Sequence, residues 1–286
     1  MGTMWKLTVW DKVEESRFET LCKEAEALSQ KFDATYSRFI KTSFVWQIAE
    51  TKGVVEVPRE FMEMLNWYRF FYAVSGRALT PTIGYALSDM GYDAEYSLHP
   101  AAHVRTVPDL FQSVEIVDDS HILLKEHILF DVGALGKGYF VDVLYTYFLS
   151  KGLTHFLVDG SGDVRYCSPN IPLRIGLEDP FTTTNAIGVA TITQGALCGS
   201  GINKRVWERE GVTYNHYIDP KIGESPTMIM ATWVYAEKAV VADALASALF
   251  FVAPDDLLDI GIPFEYCIVH HKGGMKKSAG FPADVF

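Results

Sequence analysis

The sequence predicts an α+β fold, mostly antiparallel sheet with packed helices. Apolar residues recur at helical spacing in a few long stretches, and many short strand-like stretches lie between these. The two kinds of stretch do not alternate regularly, as they would in a doubly wound parallel sheet. With 286 residues and 49% hydrophobic content, the chain is long enough for a single domain over residues 1–286 or for two closely joined lobes.

The predicted elements follow from periodicity and from helix end signals. A strand at residues 4–10 precedes a helix in which Phe18, Leu21, Ala25, Leu28 and Phe32 recur at spacings of three and four. Further helices are predicted from Pro58 to near Gly76, over Tyr139–Leu149 and over Lys238–Phe251, with a loop over Ala78–Gly84. Strands are predicted in a hairpin over Ser113–Phe130 and at Phe156–Asp159, Val164–Cys167, Leu173–Leu177, Ile187–Thr193, Thr213–Ile218 and Glu265–His270.

Composition excludes several classes of function. A formal charge of −11 argues against a nucleic-acid partner or an anionic membrane surface. The four cysteines lie far apart without C-x-x-C spacing, which argues against a zinc site or a disulfide framework. The longest uncharged apolar run is about half of a membrane span, so no transmembrane segment is predicted. These features indicate a soluble, cytoplasmic protein, or an exported or lipid-anchored one if an N-terminal signal has been removed.

Three glycines, a lysine and two aspartates fall within the twelve residues from Asp131 to Asp142. The run Ile122–Phe130 before this segment is predicted as a strand, and a helix is predicted after it. Glycines at such a junction expose N–H groups at the positive end of a helix, where phosphate is the first anion to consider. Neither a Walker A loop nor a dinucleotide fingerprint is present. Two interpretations stay open, a phosphate site or a tight turn with close helix–strand packing.

A second stretch, Ala239–Phe251, is so apolar that its single charged residue, Asp243, is expected to be buried. A buried carboxylate is costly unless it is paired or binds a cation. Ser247 lies one helical turn later, so both oxygen-bearing side chains project from the same face. Oxygen ligands suit Mg²⁺, which fills its coordination shell with water and substrate phosphate. The alternative is that Asp243 caps, or pairs with, an arginine or a backbone group.

A third stretch, Tyr214–Gly223, places His216 near the end of a predicted strand, where Asp219-Pro220 and Gly223 favour a turn. Side chains at such positions reach ligand sites. Histidine is the commonest general base because its pKa lies near neutrality. A structural role for this lone histidine is the alternative.

In matching order along nearly the whole chain, these stretches resemble the FAD:protein FMN transferase family, which is also called ApbE-like. The glycine-containing segment matches the family pattern D-x-G-x-x-x-K-G-Y-x-x-D at every stated position from Asp131 to Asp142. Seven other segments are similar to family motifs: Met1-Gly2-Thr3, Ser37-Arg38-Phe39, Leu79–Thr82 (F-D-P-T), Ser161-Gly162-Asp163 (G-G-D), Ser200–Arg205 (S-G-x-x-x-R), His216–Gly223 (H-x-I-D-P-x-T-G) and Ala242–Ser247 (A-D-A-L-A-T). The shared order makes chance agreement improbable.

The resemblance implies a T-fold-like domain that binds FAD and Mg²⁺. It also implies an activity, in which the enzyme cleaves the FAD pyrophosphate, releases AMP and leaves FMN joined by a phosphoester bond to a threonine of an acceptor protein. The chain has no obvious acceptor sequence of the D-x-x-T-G-A-T type, so the acceptor is expected to be a separate protein.

The resemblance also implies which residues form the site. The carbonyl oxygen of Ala134 and the side chains of Asp243 and Ser247 would hold Mg²⁺. His216 would take the proton of the acceptor hydroxyl, and Asp219 would orient its turn. The flavin or adenine would be lined by Met1, Phe39, Ala78, Leu79, Thr80, Asp131, Lys137, Tyr217 and Ile218.

Four positions depart from the family pattern. Ser247 stands in place of threonine and keeps the hydroxyl, whereas Thr80 replaces an acidic residue. Gly199 and Ile222 stand where threonine is common. These departures leave two alternatives to the transferase, a Mg²⁺-dependent FAD pyrophosphatase and a non-catalytic FAD-binding protein.

Overall fold

The structure is a computed structural model that describes residues 3–209 and 211–286. The α-helices that it describes are α1 (Glu15–Tyr36), α2 (Phe44–Gln47), α3 (Arg59–Val74), α4 (Gly84–Asp89), α5 (Leu110–Ser113), α6 (Gly136–Ser150) and α7 (Ala239–Ala248). Short 3-10 helices lie at Pro81–Ile83 and Pro254–Leu257. Over this part of the chain, no helix combines the length and the hydropathy that a membrane crossing requires.

The main sheet has seven strands in the order β1-β5-β6-β9-β12-β13-β14. Its strands are β1 (Lys6–Val9), β5 (Phe156–Asp159), β6 (Asp163–Cys167), β9 (Gly195–Gly201), β12 (Ile229–Ala236), β13 (Phe264–His270) and β14 (Met275–Lys277). The smaller sheets are formed by β2 (Gly53–Glu56), β4 (His121–Leu124) and β3 (Val114–Ile116), by β15 (Ala283–Val285), β8 (Ala186–Ile192) and β7 (Leu173–Glu178), and by β10 (Val206–Arg209) with β11 (Val212–Asn215). Each pairing between these strands is antiparallel.

The two faces of the main sheet bury different partners, because side chains alternate along each strand. On β9, Ala196 and Cys198 belong to the large core that includes the apolar residues of α6 and α7, whereas Leu197 belongs to a second core shared with Leu177 of β7. Helices therefore cover one face, and the β15-β8-β7 sheet packs on the other. The predicted α+β class with a mostly antiparallel sheet is confirmed.

Several predicted element boundaries are wrong. Helix α6, which was predicted from Tyr139, begins at Gly136. The predicted strand Ile122–Phe130 ends at Leu124, after which Ile128 donates its N–H to the Ala49 carbonyl outside any ladder. The apolar residues that follow Leu124 are buried but do not form a strand. A short apolar run indicates burial and does not by itself identify the secondary structure. The predicted strand Thr213–Ile218 ends at Asn215, whose side-chain oxygen accepts from the Tyr217 N–H and turns the chain away. Helix α7 ends at Ala248 and not at Phe251.

The prediction also omitted two central strands, β9 and β12. Strand β9 contains Gly195, Gly199 and Gly201, and glycine has a low strand propensity. Its position is fixed by neighbours distant in sequence, β6 on one side and β12 on the other. The loop predicted at Ala78–Gly84 contains the 3-10 helix Pro81–Ile83.

Candidate functional site

A cavity of about 810 Å³ is lined by every candidate site residue that the structure describes. Predicted residues along its wall are Phe39, Ala78, Leu79, Thr80, Asp131, Ala134, Lys137, His216, Tyr217, Ile218, Asp243 and Ser247. They come from five separate parts of the chain, so the fold brings together what the sequence keeps far apart. Met1, the remaining candidate, lies outside the described residues.

The first turns of α6 and α7 hold each other by reciprocal hydrogen bonds. The N–H of Gly138 on α6 donates to Oδ2 of Asp243 on α7 at 2.8 Å. In the opposite direction, the carboxylate of Asp142 on α6 accepts from the N–H groups of Ala239 and Val240 on α7 at 2.9 and 3.0 Å. Each helix N-terminus, with its unpaired N–H groups and positive dipole end, therefore receives a carboxylate from the other helix.

Glycine at position 138 makes this arrangement possible. A Cβ there would lie 2.7 Å from Cβ of Asp243 and closer still to the carbonyl oxygen of Ala239. Gly138 is therefore closely packed, but against helix α7 and not against a strand as the second interpretation expected. The group at this helix N-terminus is the protein's own Asp243 side chain.

Asp243 lies in a buried group of charges. Its side chain is 1% exposed and has no arginine partner within the described residues. Burial raises the pKa of Asp243 well above its usual range, and the nearby Asp163 carboxylate adds to this, whereas Lys137 and the Gly138 N–H oppose it. Lys137 forms an ion pair with Asp163. Burial alone would lower the pKa of Lys137, but Asp163 and Asp243 outweigh burial and raise it.

The oxygen groups around Asp243 fit a hard cation. Asp243 and Ser247 are both almost fully buried and line the cavity together with Ala134. A cation here would lower the cost of the buried Asp243 charge. Within residues 3–209 and 211–286, no three His, Cys, Asp or Glu side chains form a metal cluster. Coordination by one carboxylate, a hydroxyl, a carbonyl, water and ligand phosphate is the pattern that Mg²⁺ accepts.

His216 lines the same cavity with its Nδ1 atom lacking a hydrogen-bond partner among the described residues. Burial lowers the pKa of His216 to about 3, and the positive charges of Arg205 and Lys137 act in the same direction, while a hydrogen bond to the Arg205 backbone opposes the shift. The imidazole is therefore neutral at neutral pH and can accept a proton. The nearby Asp219 accepts from the Lys221 N–H at 2.9 Å and shapes the turn.

Arg38 and Asp131 form a fixed pair in the cavity wall. The Arg38 Nε donates to Oδ2 of Asp131, and the N–H of Gly133 donates to Oδ1 at 2.6 Å. Both carboxylate oxygens of Asp131 are thus engaged within the protein. The guanidinium of Arg38 lies 4.3 Å from the ring centroid of Phe39, and its two Nη atoms have no partner in the described part of the chain.

The other predicted ligand-contacting residues occupy two further parts of the wall. The Thr80 side chain accepts from the Thr82 N–H at 3.3 Å and begins the 3-10 helix that follows. Tyr217 stacks on Phe250 with ring centroids 4.6 Å apart. Its hydroxyl lies beside Ser200 and Ser247, which ties this wall to the base of the cavity.

Sequence reasoning assigned no role to several cavity residues. Five of them are Arg38, Tyr92, Tyr96, Ser200 and Arg205, and a sixth residue, Asp163, lies behind the wall and pairs with Lys137. Four of them lie in segments that resemble family motifs, so a signal was present for Arg38, Asp163, Ser200 and Arg205. Tyr92 and Tyr96 lie in a loop without a motif, and their contacts with Phe39 bridge more than 50 residues of sequence.

Comparisons with known proteins identify the family of the chain. A sequence model described as the ApbE family matches residues 1–261. The FAD:protein FMN transferase of Treponema pallidum (strain Nichols) is 26% identical over 275 residues, covering 87% of this chain and 76% of that protein. The FAD:protein FMN transferase of Klebsiella pneumoniae (strain 342) is 29% identical over 214 residues, covering 72% of this chain and 63% of that protein.

Solved structures show the same fold. The ApbE protein of Thermotoga maritima has a TM-score of 0.84 at 24% identity, covering 97% of this chain and 94% of that one. The flavin transferase ApbE of Vibrio cholerae has a TM-score of 0.77 at 20% identity, covering 98% and 95%. The predicted ApbE-like fold and the family resemblance are confirmed, and the chain belongs to the ApbE family.

Proposed function

We infer that this chain is an FAD:protein FMN transferase, and we propose that it uses Mg²⁺ to split FAD, joins FMN to a threonine hydroxyl of a separate acceptor protein and releases AMP. Membership of the ApbE family and the names of the curated relatives support the transferase assignment. The oxygen groups beside Asp243 support the cation, whereas the threonine acceptor and AMP release are what the family resemblance implies. We also propose that residues 1–286 act as one catalytic domain.

One observation carries this proposal. A single cavity of about 810 Å³ is lined by Asp243, Lys137 and His216. These residues supply a buried carboxylate, an ammonium group and an Nδ1 atom without a hydrogen-bond partner among the described residues. A cavity of this size is within the range of cofactor sites. Phosphoryl transfer needs positive charge at the phosphates and a base for the attacking hydroxyl, and this cavity contains candidates for both.

The proposed roles follow from these positions. Ala134, Asp243 and Ser247 would hold Mg²⁺, which when bound neutralises phosphate charge and makes AMP a better leaving group. Lys137, which lines the cavity and forms an ion pair with Asp163, adds positive charge beside the diphosphate. Phe39, the Ala78-Leu79-Thr80 segment, Tyr217 and Ile218 would line the rings, with Asp131 acting through its pair with Arg38.

His216 is proposed as the general base. Its neutral imidazole accepts the proton from the acceptor hydroxyl, the hydroxyl oxygen forms a bond to the phosphorus on the FMN side, and the bond to the AMP oxygen breaks with its electron pair leaving on AMP. An imidazole with a low pKa is a weak base. The negative diphosphate of FAD would raise the pKa of His216 by countering Arg205 and Lys137, so the base would become effective when substrate is bound.

The test is mass spectrometry of an acceptor after incubation with the purified chain, FAD and Mg²⁺. A protein carrying a D-x-x-T-G-A-T segment is expected to gain the mass of FMN less water, with one AMP released for each label. The matched acceptor has the target threonine changed to valine and should gain nothing. Free FMN and AMP without a labelled acceptor would replace the transferase with an FAD pyrophosphatase. Recovery of intact FAD would identify a non-catalytic binding protein.

A further inference from the structure

One face of the Phe39 ring is permanently covered. The guanidinium of Arg38 lies 4.3 Å from the ring centroid on this side, and the side chain of Arg38 is 1% exposed. Arg38 is held by Asp131, which is itself held by the Gly133 N–H. A ligand ring can therefore stack on Phe39 only from the opposite face.

Tyr96 also stacks on Phe39. The rings of Phe39 and Tyr96 are almost parallel, with centroids 5.2 Å apart and an interplanar angle of 13°. Both residues line the cavity, and Tyr92 contacts both rings edge-on. Tyr96 is 50% exposed, so its outer side faces solvent and has room to move away from Phe39.

Tyr96 is carried by a short loop with an uncommon backbone. Tyr96 and Leu98 both have positive φ, of 51° and 52°, a conformation that non-glycine residues rarely adopt. The loop is closed by the Leu98 N–H donating to the Gly91 carbonyl at 2.9 Å and by the Ser97 N–H donating to the Asp93 side chain at 2.9 Å. These bonds fix the course of the loop that places Tyr96 against Phe39.

We propose that Phe39 and Tyr96 form a clamp in which a planar ring of the bound FAD lies between the two side chains. The inference rests on the proposed use of FAD. A ring in van der Waals contact with both side chains requires the centroids of Phe39 and Tyr96 to be about 7 Å apart. Tyr96 must therefore move outward by about 2 Å, while Phe39 keeps its contact with Arg38. Tyr96 thereby determines the affinity for the ring, and takes no part in bond breaking.

Leu98 provides a matched control for Tyr96. It lies two residues away on the same loop, is 40% exposed and also has a positive φ, but it does not line the cavity. Leu98→Ala therefore reports damage to the loop without loss of the clamp. Tyr96→Phe keeps the aromatic ring, and Tyr96→Ala removes it.

The experiment measures binding of FMN and of AMP, the two halves of FAD, together with KM and kcat for transfer from FAD. Tyr96→Ala is expected to raise the dissociation constant of one half about tenfold, in line with the loss of an aromatic stacking partner. KM for FAD should rise by a similar factor, whereas kcat should change by less than about twofold in either direction. FMN fluorescence identifies the ring, because stacking on an aromatic side chain quenches it and Tyr96→Ala should relieve the quenching if the flavin is clamped.

Weaker binding of FMN alone assigns the clamp to the flavin, and weaker binding of AMP alone assigns it to the adenine. Tyr96→Phe should restore the affinity of the affected half to within about twofold. The clamp is overturned if Tyr96→Ala binds both halves as the unchanged protein does, or if Leu98→Ala has the same effect as Tyr96→Ala. Failure of the unchanged protein to bind FAD overturns the proposed function and the clamp together, whereas binding that Tyr96→Ala does not weaken overturns the clamp alone.

Discussion

The cavity has two regions that are built differently. The first, which we call the helix junction, comprises the first turns of α6 and α7 with Asp142 and Asp243, and it is held by hydrogen bonds in both directions. The second, the aromatic wall, comprises Phe39, Tyr92 and Tyr96, and its side chains meet mainly through ring contacts. Asp243 in the helix junction is 1% exposed, whereas Tyr96 in the aromatic wall is 50% exposed.

This difference separates two tasks. A group that acts on a phosphate must be placed within a few tenths of an ångström, and reciprocal hydrogen bonds between two packed helices provide that precision. A stacking surface tolerates sliding, because its attraction is spread over many atoms. We therefore expect changes in the helix junction to reduce catalysis or stability, and changes in the aromatic wall to reduce affinity.

The largest effect is expected for Asp243. Asp243→Ala should lower Mg²⁺-dependent transfer by more than about a hundredfold, because loss of even an outer partner of a metal ligand typically costs 10-fold to 100-fold. Initial rates measured over a range of Mg²⁺ concentrations test this. Asp243→Asn is the matched control, since its amide oxygen can still accept from the Gly138 N–H.

If the negative charge of Asp243 matters for cation binding, Asp243→Asn should be as inactive as Asp243→Ala. It should nevertheless fold at least as stably as the unchanged protein, because it removes a buried charge that Asp163 repels. An active Asp243→Asn variant would leave Asp243 with only the task of holding the two helices together.

His216 is expected to have the next largest effect on activity. His216→Ala should reduce transfer about a hundredfold or more, the usual contribution of a general base, while FAD affinity changes by no more than about threefold. Single-turnover transfer rates and equilibrium binding separate the two quantities. Transfer should also fall at acid pH as the imidazole of the FAD complex becomes protonated. A normal rate in His216→Ala would remove this residue from the mechanism.

The stability of Asp142 variants tests how the helix junction is held together. Asp142→Ala removes the acceptor for two N–H groups of α7. It also removes the partner of Arg165, which is 13% exposed and donates to Asp142 at 2.7 Å. The free energy of unfolding should fall by about 3 kcal/mol, combining loss of a helix cap with a partly buried charge left unpaired. Urea unfolding measures it.

Asp142→Asn keeps one acceptor oxygen and should recover part of that stability. Its effect separates the caps from the ion pair, because the amide can still accept from α7 but carries no charge for Arg165. A loss below about 0.5 kcal/mol for Asp142→Ala would mean that the two helices are held by apolar packing and not by the reciprocal bonds.

The helix junction was more predictable from the sequence than the aromatic wall. The apolar surroundings of Asp243 indicate burial, and the spacing of Asp243 and Ser247 indicates a shared helix face, because helical periodicity is a local property of the sequence. The partner of Asp243 was not predictable in this way. The Gly138 N–H is 105 residues away, and a contact of that separation leaves no periodic signal.

The aromatic wall had no local signal at all. Phe39 lies in a segment that resembles a family motif, but Tyr96 lies in an irregular loop whose course depends on hydrogen bonds among Gly91, Asp93, Ser97 and Leu98. The strands β9 and β12 were missed for a related reason. Their pairing is non-local, and a glycine-containing strand such as β9 has no propensity that would reveal it.

The titration of His216, which contacts Tyr92 and Tyr217, is expected to make the stability of the protein depend on pH. Its folded-state pKa of about 3 lies below the unfolded value of about 6.5. The unfolded chain therefore binds a proton first, so ligand-free protein should lose stability as pH falls from about 6.5 toward 3. In His216→Gln this loss of stability should be shallower by up to about 1.4 kcal/mol for each pH unit. Urea unfolding across this pH range measures the difference in pH dependence between the two proteins. Bound FAD should reduce this difference, because the diphosphate favours the imidazolium form of His216. An identical pH dependence in His216→Gln would show that the imidazole is as well solvated in the folded chain as in the unfolded one.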